Sequence, residues 1–214
     1  MFGFRLFGFP VRVQWTFWVL CAVIGIHYLT RPGPMALIGF VLLASVVFVG
    51  ILGHELGHAF ARRRFRAPHS EIVLHGIGGY CAGPGSFTRW ESIVVSAAGP
   101  FANLLLGGFA ILLQYSPFMF HPVMKMFIKD AVWLNFAWAI INLLPVLPLD
   151  GGHILEAFLA NRNRALVLKI GIAVGITVAV AGLIGGSLWI AILFGYLAYQ
   201  NWNSLHAGGA VRFR

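Results

Sequence analysis

The sequence predicts an all-α polytopic membrane protein with about six transmembrane helices and a short glycine-rich β-hairpin or re-entrant element after the second. The chain is 59% hydrophobic and only 10% charged, with a mean hydropathy of +0.85. Soluble domains contain about 25% charged residues. Apolar segments recur along the chain, and the longest stretch between them, 62–92, is too short for a soluble domain. We therefore expect a single transmembrane domain over residues 1–214.

The predicted spans follow from the length of each apolar segment and from the residues that end it. A helix needs about 20 apolar residues to cross the hydrocarbon core. Proline, glycine or arginine clusters interrupt the apolar segments, and such clusters mark turns and loops. Pro145 and Pro148 loosen the end of the fourth span, and Gly185-Gly186 separates the last two. The six predicted spans are 15–29, 35–61, 93–115, 131–147, 166–184 and 188–200.

The distribution of lysine and arginine predicts the orientation. With a cytoplasmic N-terminus, twelve of the 15 basic residues fall in inner segments and three in outer ones. Cytoplasmic loops carry such an excess. We expect both termini in the cytoplasm and an integral, multi-pass protein of the lipid bilayer, in a prokaryotic inner membrane. The same bias explains the net charge of +9, and no loop is long enough for a nucleic-acid-binding module.

A cluster of ionisable residues, His54-Glu55-Leu56-Gly57-His58, lies inside the second predicted span. Such side chains are costly within a bilayer, so they indicate a functional site. Residues four apart lie on one helix face, one turn from each other. This spacing suits two histidine ligands of one Zn²⁺ and leaves Glu55 to act as general acid and base.

A third zinc ligand is expected, since catalytic zinc usually has three protein ligands. The chain has six carboxylates, and Asp150 follows the end of the fourth span. The second and fourth spans both run from outside to inside. Along the helix, His54 is about 12 Å and His58 about 6 Å from Arg62. The prolines can unwind the end of the fourth span and bring Asp150 back to a similar depth, so the geometry permits one site. Alternatively, Asp150 only caps the helix that follows it.

Three motifs together resemble the site-2 protease family of intramembrane zinc metalloproteases. They are the HELGH run at 54–58, Gly99-Pro100-x-x-Asn103, and Asn142-x-x-Pro145 followed by Leu149-Asp150-Gly151-Gly152. The resemblance covers about 15–156. It implies one Zn²⁺ per chain held by His54, His58 and Asp150, with Glu55 as general acid and base. It also implies a membrane-protein substrate cut in or near its transmembrane segment, close to the cytoplasmic face. We expect a minimal form without the PDZ insertion or C-terminal regulatory domain of larger members.

Two further elements are assigned substrate-binding roles. Asn142 precedes the predicted ligand loop, where its amide could bond the substrate backbone or the oxyanion. The segment 72–83 mixes strand-forming residues with Gly78 and Gly79. It is expected to form a hairpin whose edge pairs with an unwound substrate as an added strand. Asn103 is expected to bond a neighbouring helix.

Other functions remain open at this point. A transporter could use the same buried histidine, glutamate and aspartate set to carry metal ions or protons. A zinc-binding protein without proteolytic activity is a second alternative, although the intact Glu55 argues against it. A metalloprotease acting on prenylated tails would take a glutamate as third ligand, and the later spans offer none suitably placed.

Overall fold

We analysed a computed structural model, which describes residues 2–30, 33–67, 69–115, 121–159 and 163–207. Most of these residues are helical, as predicted, and a small β-sheet accompanies the helices. The chain divides into two compact units, Met1–Ser86 with Ala98–Ala139, and Phe87–Ala97 with Ile140–Arg214. The single domain expected over 1–214 stays a prediction.

The first unit contains the sheet and the longest helix. Its elements are β1 (Phe2–Leu6), β2 (Phe9–Val13), α1 (Thr16–Ile24), α2 (Ile26–Leu29), α3 (Pro34–Arg64), β3 (Glu71–His75) and β4 (Gly78–Ala82). It also includes most of α4 (Arg89–Leu113) and α5 (Pro122–Asn142). At 1.5 Å per residue, the 31 residues of α3 extend about 46 Å, more than the ~30 Å of a hydrocarbon core.

The sheet has the strand order β1-β2-β3-β4, with β4 at one edge. β2 runs parallel to β3, whereas β1–β2 and β3–β4 are antiparallel. Parallel strands need a long crossover connection, which α1 to α3 provide. The two central strands carry the buried side chains, among them Phe9, Val11, Ile72 and Leu74.

Strands β1 and β2 are missing from the sequence prediction, whose first element is the span 15–29. The alternation in β2, with Val11 and Val13 buried and Arg12 exposed, has the period of a half-buried strand. Phe7 and Gly8 between the strands have positive φ angles of 50° and 88°. Two such residues are the requirement of a tight hairpin turn.

The arginines that end α3 also fasten the sheet to this helix. Arg62 donates from Nη2 to the Gly83 carbonyl oxygen (2.6 Å) and from Nε to Ser70 Oγ (3.0 Å). Arg63 donates from Nη1 to the carbonyl oxygen of Phe7 (3.0 Å). Cations at the last turn also suit the negative end of the helix dipole. The end of α3 is therefore bonded both to the β1–β2 turn and to the end of β4.

The second unit contains α6 (Asp150–Phe158), α7 (Arg164–Ile184) and α8 (Leu188–His206). α7 packs against α8, and Val146, Phe194 and Leu197 form a buried apolar cluster. Helix α6 begins at Asp150 itself, with Leu149 at the N-cap position. The alternative in which Asp150 is the N-cap of the following helix is therefore wrong.

The loop between α5 and α6 is bonded to the last helix. Asn201, which is fully buried on α8, donates from Nδ2 to the carbonyl oxygens of Leu147 (2.7 Å) and Leu197 (2.8 Å). An added Cβ at Gly171 would lie 2.7 Å from Asn201 Oδ1, so the glycine leaves room for this amide. The bond to Leu147 restrains the segment that leads into Asp150.

Three of the described helices are long and apolar enough to cross a membrane, over Met35–Arg64, Arg89–Leu113 and Arg164–Ile184. They fit an integral membrane protein. The first predicted span, 15–29, is interrupted at Gly25, where α1 ends and α2 begins. The fourth predicted span is shifted: α5 begins at Pro122 and ends at Asn142, before the two prolines. The number of six spans stays a prediction.

Candidate metal and catalytic site

His54, Glu55 and His58 are three buried ionisable residues on α3, with only 3%, 4% and 9% of their surfaces exposed. The two imidazole rings lie on one face of the helix, with centroids 4.8 Å apart and planes at 82°. The i, i+4 spacing puts them there, since it spans about one helical turn. Burial of ionisable groups is costly unless they are bonded or bind a metal, so this arrangement needs a chemical reason.

The imidazole Nε2 atoms converge on one point beside α4. A Cβ built on Gly99 would lie 2.3 Å from His58 Nε2 and 2.7 Å from His54 Nε2. Nearby, a Cβ on Gly57 would lie 2.4 Å from the Ala98 carbonyl oxygen, so α3 and α4 approach closely here. The two glycines thus leave a space at the nitrogen atoms of both histidines. That space and those two donors fit a metal ion.

Asp150 offers a third potential ligand. Asp150 is the first residue of α6, in the second unit, and its carboxylate oxygens are potential metal ligands. Two imidazole nitrogens and one carboxylate oxygen form a donor set that zinc accepts. The assignment of the three residues as ligands stays a prediction.

Asn103 on α4 bonds directly to the first histidine. Its Oδ1 lies 2.6 Å from His54 Nδ1, and its Nδ2 donates to the Gly50 carbonyl oxygen (3.0 Å) and to Asn135 Oδ1 (2.8 Å). The side chain therefore bonds neighbouring helices, as expected. The sequence analysis missed the contact to His54. The Gly99-Pro100-x-x-Asn103 motif was the signal available for it.

The edge strand of the sheet passes next to Glu55. A Cβ on Gly79 of β4 would lie 2.7 Å from Glu55 Oε1 and 2.8 Å from its Cγ, so only glycine fits at this position without moving the glutamate. Cys81 follows two residues later on the same face of the strand. Burial, together with the nearby Glu55 carboxylate, raises the pKa of the Cys81 thiol to about 12. The free Cys81 thiol is therefore neutral at physiological pH.

The other two predicted substrate-binding residues lie on separate elements. Gly78 begins β4 with a φ of 140°, in a region that favours glycine, and a Cβ there would lie 2.9 Å from Trp138 Cζ2. Asn142 is the last residue of α5, directly before the loop to α6. Their roles toward a substrate stay predictions.

Sequence comparisons show which known proteins this chain resembles. Residues 116–186 match the model of Peptidase family M50. A zinc metalloprotease of Methanocaldococcus jannaschii is 28% identical, over 89% of this chain and 55% of its own length. Rip3 of Mycobacterium tuberculosis is 31% identical over 88% of this chain and 54% of its own length. A Synechocystis protein is 29% identical over 97% of this chain and 58% of its own length. The chain thus spans little more than half the length of these curated relatives.

The fold has a counterpart of known structure. The chain superposes on the Site-2 Protease from Methanocaldococcus jannaschii with a TM-score of 0.64, covering 100% of this chain and 98% of the other, at 20% sequence identity. At this identity the match shows a shared fold. Together with the sequence matches, it confirms the resemblance predicted from the three motifs.

Proposed function

We propose that this chain, a relative of the M50 peptidases and site-2 proteases, is an intramembrane zinc endopeptidase. In this proposal it hydrolyses a peptide bond in or near the transmembrane segment of a membrane-protein substrate, close to the cytoplasmic face. The convergence of the His54 and His58 Nε2 atoms beside Gly99, with Glu55 buried on the same helix, supports it most. The zinc metalloprotease name of a sequence relative agrees with it.

One Zn²⁺ per chain is the cofactor of this proposal, with His54, His58 and Asp150 as its protein ligands. A zinc ion held there would supply Lewis-acid chemistry, which would polarise the scissile carbonyl and make water a nucleophile near neutral pH. Glu55 takes the proton from the attacking water and later delivers it to the leaving amine. The burial of Glu55 keeps this proton transfer away from bulk solvent. Asn142 donates its amide to the substrate backbone or to the developing oxyanion.

The proposed setting is a bilayer, with about six spans and with both termini in the cytoplasm of a prokaryotic cell. The twelve-to-three distribution of basic residues supports this orientation. The transporter alternative has no support from the relatives, whereas a metalloprotease name occurs among them.

Peptide hydrolysis is tested with the purified, full-length protein in liposomes. We expect zinc-loaded protein to cleave at least one peptide from a panel of synthetic transmembrane segments, with fragments identified by mass spectrometry. A zinc chelator should stop cleavage, and added Zn²⁺ should restore it. Zn²⁺ flux across the same liposomes without cleavage of any peptide would favour the transporter and contradict the proposal.

Substrate binding is proposed to occur by strand addition to β4, one of the two edge strands of the sheet in the described residues. A peptide bond inside a helix is not accessible to the catalytic groups, so the substrate must be locally extended. β4 is an edge strand, and Gly79 brings its backbone against Glu55. Edge strands present backbone groups that can pair with another chain. Gly78 and Gly79 allow the substrate and the glutamate to approach this edge closely.

Strand addition predicts a period of two along the substrate. Single N-methylation of successive backbone amides should lower the cleavage rate at every second position, since alternate N–H groups of a strand point to its partner. Each lost hydrogen bond should slow cleavage by about fivefold or more, on the order of 1 kcal/mol. The same series with N-methylation far from the cleavage site is the control. Equal effects at consecutive positions would contradict pairing with β4.

A further inference from the structure

Two asparagines, Asn103 on α4 and Asn135 on α5, have buried side chains with 0% and 5% exposure. A buried amide is costly unless its donors and acceptors are bonded. Their bonds form one continuous chain from the backbone of α5 to His54. The direction of each bond follows from groups that can only accept.

The orientation of Asn135 is set by its own helix. The Asn135 Nδ2 atom donates to the carbonyl oxygen of Ala131 over 2.8 Å. A backbone carbonyl accepts and never donates, so this side of the amide must be the NH₂ group. Asn135 therefore turns its Oδ1, an acceptor, toward Asn103.

The orientation of Asn103 is set by two acceptors at once. Its Nδ2 donates to Asn135 Oδ1 (2.8 Å) and to the Gly50 carbonyl oxygen (3.0 Å), which uses both hydrogens of the amide. A flipped amide would place oxygen against both of these oxygens. Asn103 Oδ1 must therefore face His54 Nδ1, 2.6 Å away.

The tautomer of His54 follows from this orientation. Because Asn103 Oδ1 only accepts, His54 Nδ1 must carry the hydrogen, and the neutral ring then has its lone pair on Nε2. Nε2 is the atom that lies beside Gly99 together with His58 Nε2. Outer groups that bond the second nitrogen of a metal-binding histidine fix its tautomer and orientation.

We propose that Asn135 and Asn103 form an amide relay that holds His54 in the tautomer able to bind zinc. Asn135 is a positioning residue that acts on the ligand through Asn103. Without Asn135, the Gly50 carbonyl is the one remaining acceptor among the described residues that opposes a flip of the Asn103 amide. A flipped amide would favour a hydrogen on His54 Nε2. The inference rests on the proposed zinc site, but its tests measure tautomer and affinity and not cleavage.

A double-mutant cycle separates relay from simple packing. We expect N103L to weaken zinc binding by about 10- to 100-fold, and N135L to weaken it by a smaller factor. The N103L/N135L protein should bind zinc as N103L does, since Asn135 has no route to His54 once Asn103 is gone. An asparagine that only holds helices together would give unchanged affinity, or losses that multiply in the double variant, and either result would overturn the relay.

The control removes an unrelated hydrogen bond from the helix that carries His54. Ser45 on α3 donates from Oγ to the carbonyl oxygen of Val41 over 2.9 Å. S45A should leave zinc affinity unchanged. Affinity is measured by competition with a chelator of known zinc affinity, on protein whose helical content matches wild type.

A second measurement is made on the wild-type protein, and the H54Q variant serves only to assign the signal. In ¹⁵N spectra of metal-free wild-type protein, the His54 ring, assigned by its loss in H54Q, should show the neutral form protonated at Nδ1. A ring protonated at Nε2 would overturn the relay. Failure of the proposed proteolytic function would give a different result: zinc-loaded wild-type protein would cleave no peptide, whatever the tautomer of His54.

Discussion

Replacing Gly99 by alanine is expected to eliminate zinc binding while leaving the protein folded. The added methyl group would lie 2.3 Å from His58 Nε2 and 2.7 Å from His54 Nε2, well inside van der Waals contact. Both rings must turn away, which separates the two nitrogens that the proposal assigns to the metal. Loss of one residue that hydrogen-bonds a metal ligand lowers metal affinity by about 10- to 100-fold. Displacement of two ligands should therefore lower zinc affinity by about 100-fold or more.

The expected separation of metal binding from folding has a structural reason. The atoms that Gly99→Ala displaces are the ends of side chains, which can rotate without moving the helices. A Cβ on Gly57, in contrast, would meet the backbone oxygen of Ala98 at 2.4 Å and would push α3 and α4 apart. Gly99→Ala should therefore retain its helical content and lose zinc.

Gly108→Ala is the matched control for this experiment. Gly108 lies on the same helix, α4, and nothing lies within 4 Å of its added Cβ. This variant should bind zinc as wild type does and gain up to about 1 kcal/mol of helix stability. Zinc content and affinity of both purified variants decide the matter. Wild-type affinity in Gly99→Ala would mean that the two histidines do not share one ion at this position.

The second large effect is expected for Glu55→Gln, which should retain zinc and lose peptide hydrolysis. Glutamine has nearly the size of glutamate and fits the same space beside Gly79, but it cannot take a proton from water. General acid and base groups contribute about 10²- to 10⁴-fold, so the rate should fall by at least that order. Zinc content by metal analysis and cleavage in liposomes are measured on the same preparation.

Two substitutions complete this experiment. Glu91→Gln changes a carboxylate at the exposed start of α4, where Glu91 accepts from the Thr88 backbone N–H, and should alter neither zinc nor cleavage. Asp150→Asn should lose zinc as well as activity if Asp150 is a ligand. Full activity of Glu55→Gln would end the protease assignment. Wild-type zinc affinity in Asp150→Asn would remove Asp150 from the ligand set.

Local patterns were sufficient for part of the candidate site. The helical repeat places His54 and His58 on one face of α3, and a long apolar segment around them predicts a membrane helix. These inferences need only the neighbours in the chain, because helix geometry relates residues three or four apart. The prolines before Asp150 indicate a loosened helix end, although α5 ends at Asn142 and not at the predicted residue 147.

Errors occurred where local signals conflicted or were weak. The sequence prediction contains no element before residue 15, yet Phe2–Leu6 and Phe9–Val13 form two strands of the sheet. The first predicted span is split at Gly25, because hydrophobicity alone does not indicate where a helix is interrupted. Short strands and breaks depend on partners that lie far away in the chain.

Sequence by itself determined the membrane character of this protein, the paired histidines and the glutamate between them, since each depends on composition or on one helical turn. Only the tertiary structure decided that Gly99 lies against both Nε2 atoms, that Gly79 lies against Glu55, and that Asn135 reaches His54 through Asn103. The physical reason is distance along the chain: these residues are 24 to 81 positions from the groups they serve, and only packing between helices and sheet brings them together.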